Sequence, residues 1–427
     1  MKDIRLDFEH FKDQGQLPNL AEVRDKVEKY HRVLLEGKDA VIKDREVPMT
    51  GWKTESPFIS DEDLDTITAA AKGLRQKIDD YISIGIGGSY LGIKASIEAL
   101  VGPLDLINLE KGNIPRIFFL GNHMDPSYTD AVLKLTKGRK VGVCVISKSG
   151  GTVEPAIAFA VAKGSANTII AITDENKGAL HDLAKKEKYE TFPVPDNVGG
   201  RYSVTSPVGL FGMAVAGIDI KEFIAGARYA EEQTRKNKFD KNIAMLRAAM
   251  RFIAYDKWDK KIEVASTGIF DLKGVTYWMQ QLGPETEGKD GKGLWISPEF
   301  YTQDAHANGQ MIQQGERNMI ETFLMLEDVE TDITISARGT PVEYLDGKTM
   351  SFVNRAFVEG LRDAHFEGGV PCMSYNIPEL SANTLGQLYQ YEMNAIALGG
   401  LLLGLNPFVQ PGVQMYKDIA NKKSGGK

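Results

Sequence analysis

"KVGVCVISKSGGTVEPAIAFAVAKG", residues 140–164, decides the fold. Its first part, "KVGVCVIS" (140–147), is a short, almost unbroken apolar run, as expected of a strand buried on both faces. Its last part, "TVEPAIAFAVAKG" (152–164), reads as a helix. Between them Ser147, Ser149 and Thr152 surround Lys148, Gly150 and Gly151. Hydroxyls and bare backbone at the start of a helix suit an anion, because the first N–H groups lack partners and carry the positive end of the dipole. Ordinary N-caps and turns favour the same residue types, so the junction alone establishes anion binding at most.

The same alternation extends outward. "YISIGIG" (81–87) precedes "SYLGIKASIEAL", and "RIFFLG" (116–121) precedes "DPSYTDAVLKLT", where Asp125 and Pro126 fit N-cap and N1. "NTIIAIT" (167–173) precedes "NKGALHDLAKK". A second series follows: "KIEVAST" (261–267), "LKGVTYWMQQLG", "GLWISPEF", "NMIETFLMLED" (318–328), "SFVNRAFVEGLRDAHF" (351–366), "VPCMSYNIP" (370–378) and the long apolar helix 382–405. Strands and helices in turn predict an α/β protein with two doubly wound, parallel-rich sheets. The expected units are 75–215 and 216–405, preceded by a helical N-terminal segment (1–74) packed on the second and followed by a C-terminal arm (406–427). The tail "NKKSGGK" has nothing to bury and is expected to fray.

Composition narrows the function. The net charge is 51 − 58 = −7, which argues against nucleic acid or an anionic membrane as partner. The longest apolar run, "AIALGGLLLGL" (395–405), is too short to cross a bilayer, and "MKDIRLDFEHFKDQGQ" has no apolar secretory core. Cys144 and Cys372, 228 positions apart, read as buried thiols in a reducing compartment. A cytoplasmic protein is expected.

"GIGGSYLG" (85–92) occupies the place of a dinucleotide fingerprint and fails it: Gly85 and Gly87 fit, but Tyr90 takes the third glycine's position. No GK[ST] follows, so it is not a Walker loop either. What remains is a turn in which Gly87 and Gly88 bring backbone close to something, with Ser89 at the helix start. Two such turns at the carboxyl ends of strands in one sheet point to a phosphomonoester in the crevice there. No metal cluster is apparent.

Four further segments are polar in apolar or glycine-rich settings. Arg201 follows two glycines in "NVGGRYSVTSPVGL" (197–210) and precedes a run that looks buried, so it needs an anionic or oxyanionic partner. "MQQLGPETEGKDGKG" (279–293) carries Glu285 and Glu287; two residues apart, they cannot both face one pocket. "DAHANGQMIQQGE" (304–316) holds His306, and "NPFVQPGVQMYK" (406–417) ends in Lys417. Each taken singly reads equally well as an ion pair, a solvated loop or a surface residue. Together they supply a carboxylate base, a cation for a developing enediolate and an acid/base pair for ring opening, as aldose–ketose isomerisation of a phosphosugar requires.

"GIGGSYLG", "SKSGGTVEP", "GGRYSVTSPVGL", "QQLGPETEGK", "HANGQMIQQG" and "NPFVQPGVQMYK", in this order and at about this spacing, resemble the glucose-6-phosphate isomerases, in their compact bacterial form. The likeness runs from about residue 80 to Lys417. It implies that Glu285 shuttles a proton between C1 and C2, that Arg201 stabilises the enediolate, and that His306 and Lys417 assist ring opening. It also implies that Ser147, Ser149, Gly151 and Thr152, with Gly88 and Ser89, hold the phosphate, that Lys148 and Gln281 lie near the substrate, and that the two sheet units are sugar-isomerase-type (SIS) domains. No cofactor or metal is implied. The partners implied are a phosphohexose substrate and a second copy of the chain, whose His306 segment reaches the neighbouring site. Val409 and Gln414 stand where the family usually carries acids, which is expected to alter how Lys417 is held. Gly150-Gly151 replaces bulkier residues, which is expected to loosen the phosphate loop. Two other functions use the same loops: a sugar-phosphate-sensing regulator, and an amino-sugar phosphate isomerase or deaminase. The complete set of base, arginine and ring-opening pair favours isomerisation.

Overall fold

The first sheet holds the opening stretch at its centre. In the computed structural model, which describes residues 2–44, 46–53, 59–104 and 114–425, β1 (Arg5–Asp7) lies at the N-terminus. A short ribbon of β2 (Lys43–Asp44) and β3 (Val47–Pro48) follows. Next come β4 (Asp80–Ile84), β5 (Arg116–Leu120), β6 (Val141–Ile146), β7 (Thr168–Thr173) and β8 (Glu190–Pro193). These last five form one sheet in the order β5-β4-β6-β7-β8, every pair parallel. Successive side chains serve two cores: Val143 and Val145 meet Phe159 and Leu180 on one face, while Cys144 and Ile146 join Tyr81, Ile93 and Phe211 on the other. An all-apolar strand is what burial on both faces demands. The order reverses between β4 and β6, so the turns after these two strands flank a switch point, where open α/β sheets bind ligands.

The second sheet comprises β9 (Ile262–Thr267), β10 (Trp295–Phe300), β11 (Met319–Asp328) and β12 (Cys372–Glu379), in the order β12-β11-β9-β10, all parallel. β1 adds to its edge antiparallel to β12, pairing Arg5 with Asn376. Three residues are too short to show a period, so nothing in the sequence marks this strand. The central helix Ala382–Leu402 is buried from Thr384 to Leu402 and packs on the helices Ile220–Lys236 and Ile243–Asp256. Among the described residues no helix is long and apolar enough to cross a membrane. Cys144 and Cys372 are free and buried.

The chain departs from expectation at both ends. Helix Leu20–Glu36 lies against the second unit's helices. Helix Asp61–Arg75 instead presses its buried stripe of Leu64, Ile67, Ala71 and Leu74 toward Pro207–Val215 and the first sheet. Of the tail expected to fray (421–427), the first three residues close the helix Gln414–Lys423, which has no buried side chain, and the last two lie outside the described residues.

Candidate active site

The "SKSGGT" loop closes on itself by short hydrogen bonds. Ser147 is buried and its Oγ accepts from Gly150 N at 3.1 Å; Ser149 Oγ accepts from Gly151 N at 3.2 Å. The Thr152 hydroxyl makes no capping bond at the head of the helix Val153–Ala162, which leaves it beside the unpaired N–H groups of the first turn. Gly150 corrects one expectation. Its φ is +71°, and a Cβ there would lie 2.2 Å from Leu180 N. The ladder of Asp174 N to Lys148 O (3.2 Å) and Ala179 N to Ser149 O (3.1 Å) fixes the loop further. The glycine is thus required by a tight turn packed on the next helix, and the loop is pinned rather than loosened. Lys148 turns aside: its Nζ donates to Pro195 O at 3.2 Å and Asp196 O at 3.0 Å.

The other glycine turn, after β4, meets the rest of the site. Gly87 has φ +57°, and its missing Cβ leaves room for Gln281 Nε2. A Cβ on Gly88 would stand 1.9 Å from Gly200 O and 2.8 Å from Arg201 N, so the backbone before Arg201 rests directly on this turn. The Ser89 side chain forms no hydrogen bond among the described residues, and Gln281 Oε1 is buried without a hydrogen-bond partner there.

Glu285 and Arg201 face one another. Arg201 is buried in the 3₁₀ turn Gly200–Thr205, and its Nη1 lies 3.2 Å from Glu285 Oε1. Glu285 keeps a quarter of its side chain exposed and accepts from Gln281 Nε2 at 3.1 Å, one helical turn away. The arginine's other donors go to Thr286 Oγ1 (3.0 Å), Gln410 Oε1 (3.1 Å), Val409 O (3.4 Å) and Pro407 O. The start of the C-terminal arm therefore shapes the site through Arg201. Gln414 bonds Asp418, and Val409 offers a carbonyl to Arg201, so neither departure from the family pattern touches Lys417.

Glu287 points away from Glu285, as the two-residue spacing requires, and is buried against Arg251. The helix that carries both runs on to Glu287, past Gly283, where the apolar pattern stops. Lys289, unnoticed in the sequence, reaches back to the carbonyls of Glu285 (3.0 Å) and Thr286. Burial, with the Arg201 charge second, pushes its pKa down to about 8.

No hydrogen bond or ion pair ties His306 or Lys417 to this centre among the described residues. His306 ends the 3₁₀ turn Gln303–His306 after β10 and is exposed; Lys417 sits on the outer helix Gln414–Lys423. Neither makes a side-chain hydrogen bond or ion pair among the described residues. Nor does any group of three or more His, Cys, Asp or Glu there have the geometry of a metal site. A cavity of about 610 Å³ lies at the carboxyl edge of the second sheet, lined by Ile269, Phe270, Phe300, Leu324, Leu326 and Ile333 among others. Its walls are mostly apolar and include none of the residues expected to act.

The profile described as phosphoglucose isomerase matches residues 62–425. The chain belongs to this family. A glucose-6-phosphate isomerase of Parabacteroides distasonis is 41% identical over 381 residues, covering 86% of this chain and 85% of the relative. That of Staphylococcus aureus strain Newman is 38% identical over 430 residues, covering 98% and 95%. Among solved structures, a hypothetical protein of Thermus thermophilus superposes with TM-score 0.81 at 27% identity, covering 99% of this chain and all of that one. A glucose-6-phosphate isomerase of Chlamydia trachomatis gives 0.80 at 23%, covering 96% and 85%, a likeness of fold. A Thermotoga maritima glucosamine-6-phosphate deaminase shares the fold more distantly, at 0.50 and 14%, covering 86% and 97%.

Proposed function

We propose that Glu285 is the base of a reversible isomerisation of glucose 6-phosphate and fructose 6-phosphate, the activity of this family and a step of glycolysis and gluconeogenesis. The observation that carries the assignment is the Glu285–Arg201 pair at 3.2 Å, set beside a glycine turn of the sheet's switch point. A partly exposed carboxylate can take the C2 proton and return it to C1, while the adjoining guanidinium offsets the charge that develops on the cis-enediolate oxygens. Nη1 is shared between Glu285 and Gln410, so an enediolate oxygen would meet a donor already in place. Ser147, Ser149, Gly151, Thr152 and Ser89, with the Gly88 backbone, would hold the phosphate. Lys148 would act through the 195–196 segment, and Gln281 would orient the base.

His306 and Lys417 would open and close the ring, His306 in the site of a second copy. The exposure of His306, beside a face with large exposed apolar residues (Phe270, Ile333, Met350), supports a homodimer. Two units, 75–215 and 216–405, with flanking segments 1–74 and 406–427, remain our division of the chain. A cytoplasmic location is part of the same reading, checked by cell fractionation. Since the arginine carries the oxyanion, no cofactor is invoked.

Glu285→Gln should lower kcat by about 10²-fold or more with little change in the Kd for fructose 6-phosphate, read by a coupled assay and by calorimetry. A variant that turns over normally would remove Glu285 from this role.

A further inference from the structure

Helical geometry sends Glu287 to the side of its helix opposite Glu285. Its carboxylate, 2% exposed, takes both Nη atoms of Arg251, at 2.5 and 3.1 Å. Arg251 Nε donates to Glu263 Oε2 at 2.7 Å on β9. Glu263 in turn binds Arg247 Nη2 at 2.7 Å, and Arg247 grips Glu392 of the central helix at 2.6 and 2.7 Å. The charged side chains of this chain of contacts are at most 2% exposed. It bolts the last turn of the Lys273–Glu287 helix to the second sheet. That turn needs an anchor, because Pro284 lies inside it and cannot donate to the helix ladder. Gly399 makes room for the anchor: a Cβ there would lie 2.5 Å from Glu287 Oε1 and 3.2 Å from Arg251 Nη1.

Resting on the assignment of Glu285 as base, we propose that Arg251 and Glu287 are positioning residues, which fix the last helical turn so that the Glu285 carboxylate is presented to the sugar and to Arg201. A buried, two-pronged arginine–carboxylate pair sets direction as well as distance. A displacement of about 1 Å at a reacting group costs on the order of 10²-fold in rate. The role is separable from folding. The network sets three carboxylates (Glu263, Glu287, Glu392) against two guanidiniums (Arg247, Arg251), so Glu287→Gln leaves the buried charges balanced while it breaks the two-pronged grip.

The test uses the full-length protein, with Glu287→Gln and Gly399→Ala measured beside Glu285→Gln. Gly399→Ala crowds the pair without removing a charge. For both network variants the account expects kcat to fall about tenfold or more with KM within about twofold. It also expects the primary isotope effect on kcat with C2-deuterated glucose 6-phosphate to rise, as proton abstraction becomes the slow step. A purely structural role lowers Tm and leaves the isotope effect unmoved. That result in either folded variant overturns the proposal, and so does failure of both to fold. If Glu285→Gln itself retains turnover, the assignment of the base falls instead.

Discussion

Arg201 joins the parts of the site, and its surroundings mark how far residues can be read in a sequence. A buried arginine after two glycines announces that it needs oxygen partners, and it has them: Glu285, Thr286, Gln410 and the carbonyls of Pro407 and Val409. The carboxylate and the amide belong to segments already singled out. The carbonyls were not legible, since a main-chain acceptor leaves no trace in residue identity. Gly88 was legible as a point of close approach, but not what it approaches, the backbone of Gly200 and Arg201. Because the obstacle is main chain, Gly88→Ala should both displace Arg201 and cost about 1–3 kcal/mol of stability. The expected outcome is a lowered Tm with kcat reduced by at least about tenfold. Unchanged kinetics in that variant would show that the turn does not set the arginine's place.

At the scale of elements, the strands of both sheets stood out because burial on both faces leaves continuous apolar runs. The apolar stretch 272–283 stands out in the sequence, whereas the last turn of the Lys273–Glu287 helix, with Pro284 and two glutamates, carries residues that usually stop a helix. The helix runs through that turn because tertiary contacts hold it on two sides, Thr286 against Arg201 and Tyr202, and Glu287 against Arg251. Lys289 caps the same end and carries a testable pH dependence. Its pKa in the folded protein is about 8, below the value of about 10.4 expected in the unfolded chain. Below pH 8 it is protonated in both states, and the native state bears the full cost of a partly buried ammonium. Between about pH 8 and 10.4 the native state sheds the proton first, so stability contributed by this group rises with pH. Urea unfolding of the wild type and Lys289→Met should show a stability difference that shifts in favour of the wild type over that interval. A difference independent of pH would mean that Lys289 titrates alike in both states.

For the whole molecule, the alternation of strands and helices revealed two α/β sheets but not that both turn back at a switch point of the same kind. In each the first strand of the series lies between the second and the third. One edge gathers glycine turns, hydroxyls, Arg201 and Glu285, while the other opens into the mostly apolar cavity near Phe270 and Phe300. Side chains, not topology, distinguish the two edges. Phe270, Ile333 and Met350 on that second face are more than half exposed, and in the proposed homodimer a second copy of the chain would cover them. Ile333→Asp combined with Met350→Lys should move the sedimenting species from dimer to monomer. A wild type that sediments as a monomer at micromolar concentration would contradict the shared site. The claim at the centre is that a proton leaves C2 to Glu285 and returns at C1. Its most direct test follows the C2 hydrogen of glucose 6-phosphate by NMR during turnover in D₂O. The Glu285 carboxylate is partly exposed and can trade its proton with solvent before returning it. Deuterium should therefore enter at C1 of fructose 6-phosphate, and at C2 of glucose 6-phosphate on the way back, with the wild type and not with Glu285→Gln; exchange that persists undiminished in the variant would contradict the role of Glu285.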